Sequence, residues 1–429
     1  MTAIVVIAAF YLVFAVVSAR LPPLMLSVPM VFVGFGLLIG TEGVALITPT
    51  EDPELVTRVL EVTLVLTLFG DAAKVSFRDL RRESTVPFRL LVLGLPLAIA
   101  TGWLAGLPLL GGLGLVEIAV VATILAPTDA ALGQAVVQNP RVPAVVRHGL
   151  GVESGLNDGI ALPVLTLLLT GAAIAAGEER SLDILETFLR GLLLSAVVGA
   201  VAGLVGGWLL VRCDERGWVA KYWRRAVGLS VALLAWGLAV WLDGSGFIGA
   251  WVGGLAFGLV VRRRIPNACD VVEELSSILI TLSFLFFGAL LLGPALHHLT
   301  WQTALYGVLS LTLVRMVPVA LAMLGSGFRG RSVLYMGWFG PRGLASIVFV
   351  GLVVRQALPA TDVVVSTVMF TVGLSVLLHG ATAYHTSQSY GAWYERAHER
   401  ALETGVPLAE SAEVVEVKVP RRPHLGAHR

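Results

Sequence analysis

Charged residues are scarce in this chain of 429 residues: Asp, Glu, Lys and Arg make up 14% of it, against about 25% in soluble domains. Hydrophobic residues make up 56%, and the mean hydropathy is +0.85. Even large soluble domains bury only about three-quarters of their surface, so a water-soluble fold could not cover this much apolar side chain. The composition therefore excludes a soluble globular protein and predicts a polytopic membrane protein.

Cysteine is also rare, and positive charge is not concentrated in any one region. The two cysteines, Cys213 and Cys269, cannot form a disulfide framework, and no Cys/His spacing typical of a metal site occurs. The formal net charge is +1 and the basic residues are scattered, which argues against a nucleic-acid partner. The first apolar stretch lacks the basic residues that open a signal peptide, so we interpret it as a permanent span.

Long apolar stretches dominate the chain instead. Each is long enough to cross a bilayer as a helix, and about thirteen spans of roughly 20 residues fit. They lie near 2–19, 22–40, 54–71, 86–106, 113–138, 145–173, 187–211, 226–242, 245–261, 271–293, 302–324, 331–355 and 361–384. The predicted fold class is an all-α polytopic membrane protein.

The loops between these spans predict the orientation. Connections after odd-numbered spans are rich in Lys and Arg, as in Arg262, Arg263 and Arg264, whereas the alternate connections are poor in both. The positive-inside rule then places the N-terminus outside and the C-terminus in the cytoplasm, and an odd number of spans agrees. We expect a plasma membrane, and for residues 385–429 a short cytoplasmic tail with a short helix and a disordered end.

Two spans are interrupted at matching positions. Span five contains APTD at 126–129, and span twelve contains GPRG at 340–343. They lie seven spans apart, and an inverted repeat requires such an odd offset. Paired broken helices in two inverted halves indicate the midplane site of a transporter. Gly and Pro are common in membrane helices anyway, so a purely structural interpretation stays open.

Span six carries ionisable side chains inside the membrane, which are costly and mark function by default. Glu153, Asn157 and Asp158 lie within about two helical turns. The i,i+4 spacing places Ser154 and Asp158 on one face and Glu153 and Asn157 on the neighbouring face. Ser154 and Asp158 can thus direct oxygens into one cavity. The alternative is that these polar groups only join helices.

The first break adds oxygen ligands. Thr128 can supply a hydroxyl group, and Asp129 can cap the half-helix that follows, a role we favour over direct ion binding. Together with Ser154, Asp158 and water, these groups provide the hard oxygen ligands that a small cation prefers.

Buried charges elsewhere need partners. A buried guanidinium requires an anion, and for Arg342 the inverted-repeat arrangement makes Glu153 the nearest candidate, with Asp129 as the alternative. Arg315 in span eleven and Glu61 in span three also require partners, which the sequence does not identify.

Three stretches carry a family resemblance: APTDAALGQAVV at 126–137, ESGLNDGIALP at 153–163 and GPRGLASIVF at 340–349. In this order they resemble the NhaP-type monovalent cation/proton antiporters, relatives of the animal sodium/proton exchangers. LFGDAAKVSFRDLRR at 68–82 is similar to a family segment that often reads LFEGGL…LR.

The resemblance covers residues 1–384 and implies a thirteen-helix antiporter domain. Inverted repeats with two broken, crossing helices would form its core, near 86–173 and 302–384. A dimer-forming part would lie near 1–71 and 187–293, and the protein would act as a homodimer in the bilayer.

The family's roles transfer to matching residues. By resemblance, Asp158 binds either the cation or the proton, and Asn157 is its partner. Thr128 and Ser154 would be further ligands of Na+. Glu153 and Arg342 would form a structural ion pair, and Asp129 would neutralise helix ends; Arg315 is a weaker candidate for this charged core.

Two departures from the family pattern affect these assignments. Many relatives have Asp-Pro at the first break, where this chain has Asp129 followed by Ala130. Many have Glu in span three, where this chain has Gly70 and Asp71. Asp71 is therefore either a substitute ion ligand or a residue at the membrane edge.

The implied function is sodium (or lithium)/proton antiport without a cofactor. Removing bulk water favours the neutral form of Asp158, whereas a dehydrated cation favours the charged form, so the two ions compete. One titrating carboxylate predicts one proton per cation and hence electroneutral exchange. An Asp at position 157 would be expected in electrogenic relatives.

Other functions stay open. A potassium/proton antiporter would use the same oxygen ligands. An intramembrane hydrolase is a remote alternative, since Ser154 lies in GVESG with His148 nearby, but this is not G-x-S-x-G and the two side chains face different directions. A channel would require a carbonyl filter or charged rings, which the sequence does not show.

Overall fold

The computed structural model describes residues 1–21, 24–48, 53–75, 85–175, 181–356, 360–404 and 408–411. Within these residues every regular element is helical, which confirms the all-α fold class. Eight of the described helices are long and apolar enough to cross a membrane, and shorter apolar helices accompany them. The protein is thus a multi-pass membrane protein, while the count of thirteen spans stays a prediction.

The helices are numbered in chain order. The first half contains α1 (Thr2–Val17), α2 (Val28–Ile39), α3 (Pro53–Lys74), α4 (Thr85–Arg89), α5 (Leu95–Leu109), α6 (Leu115–Ile124), α7 (Ala130–Val137), α8 (Ala144–Ala175) and α9 (Ser181–Glu215). The second half contains α10 (Lys221–Trp241), α11 (Gly246–Val261), α12 (Asp270–Phe286), α13 (Gly293–Leu296), α14 (Trp301–Leu311), α15 (Leu313–Ala322), α16 (Gly330–Trp338), α17 (Leu344–Arg355) and α18 (Thr361–Thr404). Wider π-helical turns join α4 to α5 and α12 to α13.

Helix ends are set by local chemistry that the sequence encodes. Ser27 caps α2 by accepting a hydrogen bond from the backbone N–H of Met30. Ser245 caps α11 by accepting one from the backbone N–H of Ile248. Thr300 and Thr303 form a capping box at the start of α14. Every predicted apolar stretch contains helix.

The two predicted breaks are present. Span five is split into α6 and α7, and span twelve is split into α16 and α17. Pro127 and Pro341 lie in the non-helical segments, where each lacks the N–H group needed to continue a helical ladder. Each broken span therefore leaves free backbone groups in the middle of the protein.

The helices pack in two neighbourhoods that meet at α8. One contains α3, α9, α10, α11 and α12, and the other contains α5 to α8 with α14 to α18. Helix α8 contacts α6 and α7 on one side and α3, α9 and α11 on the other. The polar residues of span six therefore lie where the two neighbourhoods meet.

The prediction for the chain after residue 384 was partly wrong. Helix α18 continues without interruption from Thr361 to Thr404, so no separate short helix follows the last span. Its extension is held by an apolar stripe at i,i+4 spacing, Trp393, Ala397 and Ala401, which packs with Leu408. The predicted disordered end, from residue 412, lies outside the described residues.

Candidate functional site

The two broken helices cross and touch at their breaks. The backbone N–H of Asp129 donates a hydrogen bond to the carbonyl of Pro341, with 2.8 Å between nitrogen and oxygen. Ser346 Oγ, from the first turn of α17, donates to the carbonyl of Ile124 at the end of α6. Backbone groups freed by one break are thus satisfied by the other, as irregular backbone inside a membrane requires.

Asp129 caps two helices with one carboxylate. Its Oδ1 accepts a hydrogen bond from the N–H of Leu132 at 2.8 Å, and its Oδ2 accepts one from the N–H of Leu344 at 2.7 Å. The positive ends of α7 and α17 therefore converge on a single negative charge. The structure confirms the predicted capping of α7 and adds a second cap, on α17.

Arg342 completes the crossing from the opposite break. Its guanidinium Nη1 donates to the carbonyls of Ala126 and Pro127, at 2.5 and 2.9 Å, just after the end of α6. Its side chain is fully buried. The charge of Arg342 thus faces the negative end of α6.

The expected ion pair between Glu153 and Arg342 is wrong. Glu153 binds Arg315 of α15 instead, through two hydrogen bonds of 2.5 and 2.8 Å, and both side chains are almost fully buried. Arg315 reaches Glu153 past Gly340, where the guanidinium occupies the space that a side chain would need. The weaker candidate Arg315 therefore takes the role assigned to Arg342.

Glu61 also has a partner in the structure. Its carboxylate, from the middle of α3, forms an ion pair with Arg355 at the end of α17. The pair joins the two helical neighbourhoods. Neither the partner of Glu61 nor that of Arg315 could be assigned from spacing.

Three of the predicted ligands form one hydrogen-bonded cluster. Asn157 Nδ2 donates to Thr128 Oγ1 at 2.7 Å, and Thr128 Oγ1 lies 3.1 Å from Ser154 Oγ. Asn157 and Thr128 are each 1% exposed. The structure therefore brings the first break and span six together, and Thr128 connects them.

Asp158 follows this cluster on α8 and leaves an oxygen free. Its Oδ1 is buried and has no hydrogen-bond partner, and the same holds for Oδ1 of Asn157. Buried acceptor oxygens are normally satisfied, and each exception needs an explanation. A bound cation would satisfy either oxygen, and a proton would satisfy that of Asp158.

Small residues on α8 let the other helical neighbourhood approach Asp158. The Trp251 ring of α11 fills the space beside Gly159 that a side chain would occupy. Asp71 of α3 lies against Gly155, and its carboxylate is 3.7 Å from Lys74 Nζ. Asp71 is therefore close to span six but already has a cationic neighbour, so its role as an ion ligand stays a prediction.

Sequence reasoning missed two residues of α18 that support the second break. Ser375 Oγ accepts a hydrogen bond from the backbone N–H of Arg342 at 2.7 Å and lies 3.1 Å from His379 Nδ1. His379 Nε2 donates to the carbonyl of Trp338, the last residue of α16. The sequence signal that could have identified them is the i,i+4 spacing of Ser375 and His379 within span thirteen.

Crossed broken helices around unpaired acceptor oxygens are the arrangement of secondary transporters. The family model described as sodium/hydrogen exchanger, transmembrane, matches residues 5–386. The chain therefore belongs to the sodium/hydrogen exchanger family.

Named relatives agree with this membership. A K+/H+ antiporter NhaP of Alkalimonas amylolytica is 26% identical over 74% of this chain and 54% of its own length. A K+/H+ antiporter NhaP2 of Shewanella sp. (strain ANA-3) is 25% identical over 86% of this chain and 64% of its own length. The chain thus spans between about half and two-thirds of the length of these relatives.

The fold also matches a solved structure. The sodium proton antiporter MjNhaP1 from Methanocaldococcus jannaschii superimposes with a TM-score of 0.70, covering 88% of this chain and 99% of its own. Its sequence identity is 21%, so the likeness concerns the fold.

Proposed function

We propose that this protein is a secondary antiporter that exchanges a monovalent cation for a proton at Asp158. One observation carries the proposal. Oδ1 of Asp158 is buried without a partner, and Asp158 directly follows Asn157, whose amide group binds the Thr128 hydroxyl of the first break. A purely structural carboxylate would be paired, as those of Glu153 and Asp129 are.

Competition at one carboxylate couples the two ions. A proton and a cation bind the same carboxylate oxygens of Asp158, and protonation removes the negative charge that would hold the cation. A dehydrated cation favours the ionised form, for which Ser154 and Thr128 supply further oxygens. Because the two ligands exclude each other, alternating exposure of the site to the two sides exchanges one for the other.

Asn157 supports one-for-one exchange. Its amide nitrogen donates to Thr128 Oγ1, a bond that an ionised Asp at this position could not make. Asp158 is then the titrating group of the cluster. We therefore propose electroneutral exchange, with Na+ or Li+ as the cation.

Potassium is the second candidate cation. The relatives named above from Alkalimonas and Shewanella are called K+/H+ antiporters, whereas MjNhaP1 is called a sodium proton antiporter. Carboxylate and hydroxyl oxygens accept both ions. The preference has to be measured.

The orientation and assembly belong to the same proposal. The distribution of loop arginines supports an N-terminus outside, a cytoplasmic C-terminus and residence in the plasma membrane. The resemblance to the antiporter family supports a homodimer.

Proton flux in proteoliposomes tests the proposal. A pH gradient is imposed across the vesicle membrane, and Na+, Li+ or K+ is then added to wild-type protein and to Asp158→Asn. We expect the wild type to dissipate the gradient and the variant to be inactive, because an amide cannot exchange a proton. Clamping the membrane potential with valinomycin and K+ should leave Na+-driven exchange unchanged.

Asp243→Asn is the matched control. Asp243 is exposed and has a left-handed backbone conformation that Asn also tolerates. The control should transport like wild type. Exchange by Asp158→Asn at the control's rate would refute the role of Asp158, and a potassium-only response would change the substrate but keep the mechanism. Ser154→Ala should only weaken cation affinity, whereas it would abolish a serine hydrolase.

A further inference from the structure

A basic cavity lies on the side of the protein where α18 extends beyond the last span. Its volume is about 340 Å³, and it is lined by Arg329, Arg331, Trp393, Arg396, Ala397 and Arg400. Two of the arginines stand at the start of α16, and two lie one turn apart on the α18 extension. Two separate segments thus bring four guanidinium groups to one place.

No carboxylate lines this cavity. Within the described residues, none of its four arginines forms an ion pair, although other exposed arginines do: Arg225 with Asp270 and Arg264 with Glu215. Glu410, which follows α18 in the described part of the chain, is itself buried and accepts hydrogen bonds from the backbone N–H of Arg329 and from Ser332 Oγ. The positive charge of the cavity is therefore not balanced by its own walls.

The α18 extension separates its charges by face. Arg396 and Arg400 share one face at i,i+4 spacing, while Glu395, Glu399 and Glu403 follow the neighbouring face. The arginine face is the one directed at the start of α16. Arg331 lies over the Trp393 ring, with its guanidinium carbon 5.8 Å from the ring centroid, which fixes its plane beside the cavity.

We infer that this cavity binds a phosphate-bearing anion. Planar guanidinium groups match phosphate oxygens in pairs, and convergent like charges are stabilised when an anion lies between them. The positive-inside rule explains basic residues on this side of a membrane, but not the convergence of four of them around one cavity.

The phosphate can belong to a soluble anion or to the headgroup of an anionic lipid, because the cavity lies near the end of the membrane-spanning helices. Either ligand would bridge α16 and α18. Helix α16 leads directly to the break that carries Arg342, and α18 supports that break through Ser375. The inference goes beyond the proposed antiport, and binding is measured without any cation gradient.

Two binding measurements test the inference and distinguish the sources. The full-length protein is placed in nanodiscs of phosphatidylcholine and titrated with inorganic tripolyphosphate by calorimetry. In parallel, nanodiscs containing one-fifth phosphatidylglycerol are analysed by native mass spectrometry for retained lipid. The test variants are Arg331→Gln/Arg400→Gln and Arg396→Gln/Arg400→Gln. The control, Arg263→Gln/Arg264→Gln, removes the same charge from a loop predicted to lie on the same side.

We expect wild type and control to bind at least one probe, and both test variants to bind it at least tenfold more weakly at unchanged thermal stability. Tripolyphosphate binding would identify a soluble anion, and selective lipid retention would identify a headgroup. If the wild type binds neither probe, or if binding is weakened equally in the control and the test variants, the inference is overturned. The second test variant keeps the outcome decisive if the first does not fold, because both of its changes are at exposed positions of α18.

Discussion

The ion pair between Glu153 and Arg315 yields the sharpest prediction about stability. Both side chains are at most 3% exposed and are joined by two hydrogen bonds, so neither charge reaches water. Arg315→Met keeps most of the side-chain volume but leaves Glu153 buried and unpaired. Removing one partner of a buried pair costs about 3–5 kcal/mol.

Replacing both partners should cost much less. Glu153→Gln/Arg315→Met removes both charges together, and replacing a whole buried pair is often close to neutral. The double variant should therefore be more stable than Arg315→Met by about 3–5 kcal/mol, which is the cost of leaving Glu153 unpaired. The exposed pair of Arg264 and Glu215 is the matched control, and breaking it should cost less than about 1 kcal/mol.

Unfolding in mixed micelles of dodecylmaltoside and sodium dodecyl sulfate measures these differences, provided that unfolding is reversible for each variant. If the free energy of unfolding of the double variant is no higher than that of Arg315→Met, the pairing is refuted. If breaking the buried pair and breaking the exposed pair lower the free energy of unfolding equally, the argument from burial is refuted.

Three further predictions concern the breaks and the cysteines. Asp129→Ala removes the caps of α7 and α17 and should destabilise the protein by about 1–4 kcal/mol in the same unfolding assay, with Asp243→Asn unaffected. Thr128→Val removes the hydroxyl group that binds Asn157 and Ser154 and that we propose as a cation ligand. A lost ligand interaction of about 1 kcal/mol should raise the cation concentration for half-maximal flux in proteoliposomes about fivefold with little change in maximal rate. Burial raises the pKa of the Cys269 thiol to about 12, aided by the Glu273 carboxylate, so at pH 8 the thiol stays protonated and maleimide should label Cys213 first. Faster labelling of Cys269 would contradict its burial.

The fold was largely predictable because its signals are local. Apolar stretches of spanning length, prolines inside two of them and capping residues such as Asp129 each act within a few residues of the chain. The long α18 was missed at its end, although the stripe of Trp393, Ala397 and Ala401 has helical spacing. A separate short helix and a disordered end were predicted from residue 385, where α18 in fact continues to Thr404.

The partners of buried charges were not predictable in the same way. Placing Glu153 opposite Arg342 relied on an approximate symmetry between the halves, which fixes neighbouring helices but not side-chain directions. The guanidinium of Arg342 donates hydrogen bonds to the carbonyls of Ala126 and Pro127. Arg315 reaches Glu153 because Gly340 has no side chain in its way. Both facts depend on three-dimensional contacts between distant segments.

The unbroken course of α18 gives the molecule a mechanical lever. From Ser375, which holds the second break, to Thr404 the helix runs about 44 Å without a hinge, so a tilt of about 5° at the break displaces its far end by about 4 Å. Small movements near the ion site are thereby magnified where the helix leaves the bilayer. The same geometry holds in reverse, so a force applied at the far end of α18 exerts a large torque on the break.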